Sequence, residues 1–62
     1  MLITRNIAQT VAKTAPQSSD RYDQIYFIKT ALIAEGLETF ATDRETIDET
    51  LDILFEEYGF SP

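Results

Sequence analysis

Five carboxylates, Glu45, Asp48, Glu49, Asp52 and Glu56, fall at spacings that place them on one face of a single helix. Ile53 projects between Glu49 and Glu57, away from the apolar stripe of the same segment. An array of this kind has three chemical uses: acid–base catalysis by a pair, coordination of a cation, or presentation of negative charge to a basic partner. Asp48 and Asp52, one turn apart, are the best-placed catalytic pair. Such a pair needs a cleft that shifts one pKa, which a solvated helix face does not provide. Asp43 and Glu45 open the spacing of an EF-hand calcium loop, but Ile47 and the missing central glycine break it. The third use remains, with Glu45, Asp48, Glu49, Asp52, Ile53 and Glu56 as the expected partner-binding residues.

Other chemistries lack their residues. The chain has no histidine and no cysteine, so Ser-His-Asp and Cys-His systems, thiolate zinc sites and disulfides are excluded. Ser18, Ser19 and Ser61 lie in a linker and a tail, where capping is the expected role. The two glycines, Gly36 and Gly59, sit at expected helix ends and do not form a phosphate-binding loop. No enzyme activity, metal or cofactor is expected.

Charge is lopsided. Residues 1–34 hold Arg5, Lys13, Arg21 and Lys29 against Asp20 and Asp23, a net +2. Residues 35–62 hold nine acids against Arg44, a net −8, giving −6 overall. A helix-turn-helix reader is excluded on this ground, because the helix that would enter the groove carries seven carboxylates and would be repelled by phosphates. The reverse relation has a physical basis. Seven carboxylates in about sixteen residues, roughly 24 Å of helix, approach the per-strand phosphate spacing of DNA. An inhibitor occupying a basic groove is therefore an alternative to a general protein-binding module.

Positioning these residues requires helices. Ile3, Ile7 and Val11, flanked by Ala8, make a short amphipathic helix over about 4–14, unless Met1 to Ile3 form an extended arm. Ala15-Pro16-Gln17-Ser18-Ser19 breaks it. A second helix follows over about 20–35, capped by Ser18, Ser19 or Asp20. Tyr22, Ile25, Tyr26, Ile28, Leu32 and Ile33 form one apolar arc interrupted by Lys29, and Phe27, Ala31 and Ala34 form a separate strip. Gly36 and Leu37 close it in a Schellman-type turn. Thr42 and Glu45 have capping-box spacing for a third helix over about 43–58. That helix carries Ile47, Leu51, Leu54, Phe55 and Tyr58 inward, and Gly59 then places Phe60 against Phe55.

The expected fold is one all-α domain, a small three-helix bundle with a central second helix. At this size a single core rarely supplies more than about 3–5 kcal/mol, and with no cysteine or histidine, association is the remaining means of support. The second helix has more apolar circumference than two neighbours can cover. Its surplus, at Phe27, Ala31 and Ala34, is expected to meet another copy, most simply in a two-fold homodimer. In the competing reading Leu2, Leu37, Phe40 and Phe60 cover it within one chain. With no long apolar stretch and no signal-peptide pattern, a cytoplasmic protein that does not enter membranes is expected. The leading expectation is an acidic, self-associating interaction module that docks on a basic protein surface. A structural subunit of a larger assembly is the third possibility.

Overall fold

The computed structural model describes residues 3–62. Helix α1 spans Ile3–Thr14, α2 Arg21–Ala34 and α3 Arg44–Tyr58, with a 3-10 turn at Glu38–Phe40. Whether an arm precedes α1, and whether Leu2 covers apolar surface, lie outside the described residues; Ile3 is helical.

Each boundary has a local cause. α1 ends where Pro16 cannot continue it, and the Ser19 N–H donates to the Pro16 carbonyl at 3.0 Å to turn the chain. Asp20 caps α2, its carboxylate accepting from the Asp23 N–H at 2.8 Å. Gly36, at φ 75°, closes α2 in the expected Schellman turn. There Leu37 N–H donates to the Leu32 carbonyl at 2.8 Å and Gly36 N–H to Ile33 at 3.0 Å. α3 starts one residue later than a Thr42 capping box requires. Its N-cap is Asp43, and the Thr46 hydroxyl donates to the Asp43 carboxylate at 2.6 Å. Gly59, at φ 74°, ends α3.

The three-helix architecture is as expected, but the helix in the middle of the packing is α1 rather than α2. α1 packs extensively on α3 and then on α2, while α2 and α3 meet least. Ile7, Ala8 and Val11 of α1 are sealed. Ile28 and Leu32 of α2 and Leu51 and Leu54 of α3 complete the centre.

The segment after α3 is part of the core. Phe60 is 2% exposed, and its N–H donates to the Leu54 carbonyl at 3.1 Å. The α1–α2 connection receives this tail. The Gln17 side-chain amide donates to the Tyr58 carbonyl at 2.6 Å, and Ser61 N–H donates to the Gln17 carbonyl at 3.3 Å. Gln24, 1% exposed, places its side-chain NH2 between the carbonyls of Ser19 and Ser61, each at 2.8 Å. One buried amide thus ties α2, the connection before it and the tail together.

Two measurements check this closure. Phe60→Ala should cost about 3–5 kcal/mol, comparable to the whole stability of a core this size; circular dichroism should show a largely unfolded chain. Gln24→Glu should aim a carboxylate at two carbonyl oxygens in a buried site, raising its folded pKa above the unfolded value of about 4.3. Urea titrations should therefore show a penalty that is full at neutral pH and shrinks as pH falls towards about 4.

Candidate functional site

The orientation of α3 follows from two buried threonines. Thr46, Ile47, Thr50, Leu51 and Leu54 face inward. The Thr50 hydroxyl donates to the Thr46 carbonyl at 2.7 Å, so this polar side is buried without an orphan group. α3 is therefore turned relative to its purely apolar stripe, and two expectations are corrected. Phe55, expected in the core against Phe60, is 50% exposed, and Phe60 takes a core position from the tail instead. Ile53, expected to stand out among acids, is half-buried and packs against the core.

The same rotation brings one edge of α3 against α1. The Thr4 hydroxyl donates to the Glu49 carboxylate at 2.6 Å. Arg5 meets Glu57 at 2.8 Å, and this bond to Glu57 holds the guanidinium above its ordinary pKa. Both partners are well exposed, so the ion pair contributes little to stability. Asp43, Glu49 and Glu57 are thus engaged within the fold. Glu45, Asp48, Asp52 and Glu56 are exposed and have no ion-pair partner among the described residues. Phe55 shares their side of the helix, with Asp52 three positions and Asp48 seven positions before it. This ridge of four carboxylates beside one half-exposed aromatic ring is the candidate site. Arg44 stands at its N-terminal end and lines a shallow depression with Glu45, Asp48, Glu49 and Asp52.

α2 also differs from the expected arrangement. Its inward residues are Gln24, Ile28, Ala31 and Leu32. Ala31 is therefore core, Phe27 is half-buried against the core, and of the expected self-association strip only Ala34 is exposed. The surplus apolar surface lies on the other side of the helix. Tyr22 is 85% exposed, Tyr26 65% and Ile33 56%. The inward choice goes to the side bearing Gln24 because that amide has two carbonyls to satisfy. Leu37 and Phe40 are half-buried against the core, as expected of the connector. Between α2 and α3 runs an open cleft lined by Ile25, Lys29, Thr42, Arg44, Ile47 and Asp48.

Among the described residues no three acidic side chains converge on a site able to hold a metal ion. No helix among them is long and apolar enough to cross a membrane.

The exchange of roles between Ile53 and Phe55 is measurable. Ile53→Ala should lower stability by about 2 kcal/mol, the low end for truncating a packed aliphatic side chain. Phe55→Ala should cost less than about 1 kcal/mol, as for a largely exposed position. Urea denaturation of the two variants checks the order. Comparison with known proteins finds no family model that matches this chain, and no curated protein or solved structure similar to it.

Proposed function

We propose that this chain acts by binding, docking the outer face of α3 on a basic surface of a partner protein. The observation that carries this reading is Phe55, half-exposed beside Glu45, Asp48, Asp52 and Glu56. An aromatic ring among carboxylates suits a partner pocket rimmed by lysine and arginine. The ring contributes buried apolar area, and the charges set orientation and association rate. The reading assigns no catalytic role, cofactor or direct contact with nucleic acid. A cytoplasmic setting is consistent with the absence of cysteine.

A nucleic-acid-mimicking inhibitor is the second reading, supported by the linear run of carboxylates along α3. Among the described residues only Glu57 has an ion-pair partner, and the six other carboxylates of this run, Asp43 to Glu56, span about 20 Å of helix. They stand about 4 Å apart on average, near the roughly 3.4 Å phosphate spacing of a strand. The exposed Phe55 ring, which a phosphate strand does not present, favours a protein pocket.

The test is capture of partners from the source organism's lysate by the wild-type chain, Phe55→Ala and the double variant Asp48→Lys plus Asp52→Lys, at low and high salt. Both variants should weaken capture about tenfold or more, and salt should weaken the wild type. A partner held equally by all three chains would refute the α3 site. Competition of the captured partner by duplex DNA, with no effect of Phe55→Ala, would favour the mimic.

A further inference from the structure

We propose that the outward face of α2 is a self-association surface for a second copy of this chain. The two helices lie antiparallel about a two-fold axis, with Tyr22 of one copy against Ile33 of the other and Tyr26 against Lys29. This inference stands on a different helix and different residues from the α3 reading, and neither depends on the other.

Spacing is the first argument. Tyr22, Tyr26, Lys29 and Ile33 follow one another at intervals of four, three and four, the repeat of a coiled-coil seam. They lie on the side of α2 opposite the inward Gln24 and Ala31, and all four are exposed. The Tyr26 ring meets Phe27 edge to face, with centroids 5.7 Å apart, so one of the large rings is already oriented before any partner arrives.

Self-complementarity is the second. A two-fold interface uses the same patch twice, so the patch must match its own reversal. The midpoint of this stripe lies between Phe27 and Ile28. Reversal about it exchanges Tyr22 with Ile33 and Tyr26 with Lys29. Each pair is complementary: a ring against an aliphatic side chain, and an ammonium group against an aromatic face. On the flank, the Asp23 carboxylate comes towards the Thr30 hydroxyl of the second copy. A parallel pairing would instead set the two Lys29 ammonium groups against each other, a like-charge contact that selects against it.

Charge is the third. Two copies of a chain carrying −6 repel at most approaches. α2 holds Arg21 and Lys29 against Asp23 and is free of the acidic excess of α3. α1 is also basic, but its exposed side is polar, with Asn6, Gln9, Thr10 and Lys13. Only α2 combines an apolar outward face with a tolerable charge. Its two rings and Ile33 expose on the order of 400 Å² per copy. With flanking residues the pair reaches the low edge of specific interfaces, about 1,200 Å² in total. An interface at that edge holds a weak, transient partner, with an expected dissociation constant of about micromolar or weaker.

The test is sedimentation velocity from about 1 μM to about 1 mM chain, a range spanning that affinity. Wild type should shift from monomer to dimer. Ile33→Glu and Tyr26→Glu, both at exposed positions, should shift the midpoint at least tenfold while circular dichroism stays unchanged. Orientation is read by engineered thiols, since the chain has no cysteine of its own. Tyr22→Cys mixed with Ile33→Cys should form a mixed disulfide on mild oxidation. Neither variant alone should cross-link, because like positions then stand about 16 Å apart, beyond disulfide reach. A strict monomer across the range, or a homodisulfide of either variant, would overturn the proposal.

Discussion

The side-chain amide of Gln24 is the interaction on which the arrangement of this chain depends. It is buried, and its two donors reach carbonyls from segments that are otherwise irregular, Ser19 before α2 and Ser61 after α3. An irregular segment cannot satisfy its carbonyls from its own ladder, and leaving the buried Ser19 carbonyl unpaired would cost about 1–3 kcal/mol. One amide meets both needs and fixes where the tail crosses. Phe60 is then delivered to the core beside Leu54. Without that seat, a bundle of three short helices would be open at one end.

The same constraint decides which side of α2 is inside. Apolar residues occur on both sides of that helix, so apolarity alone does not orient it. A satisfied polar residue does, because a rotation that removes Gln24 from its acceptors strands both the buried amide and the buried Ser19 carbonyl. α3 is oriented in a related way. Thr46 and Thr50 are small, bond within their own helix and pack inward, which leaves Phe55 in solvent and sets the four free carboxylates on the outer face.

This explains how much of the molecule was legible in the sequence. The elements were, because their signals are local: a cap among Ser18, Ser19 and Asp20, the Pro16 break, the helix-ending Gly36 and Gly59, and the Ile7-Val11 stripe. The acidic outer face of α3 was also visible as periodicity. Faces set by polar residues were not. A helical wheel assigns glutamine and threonine to water, and so misplaces Ala31, Phe27, Ile53 and Phe55 together. The central role of α1 was hidden because a small buried residue such as Ala8 carries little apolar weight on any scale. Phe60 was expected to pack on the bundle beside Phe55, but its seat next to Leu54 depends on where the tail crosses, which no helical periodicity encodes.

α2 therefore has two sets of residues with no member in common. Gln24, Ile28, Ala31 and Leu32 answer to the interior, and Tyr22, Tyr26, Lys29 and Ile33 answer to the surroundings. Mutation can rewrite the second set while the first continues to specify the backbone. Substitutions along the outer half of α2 can therefore change what this helix associates with at little cost in foldedness.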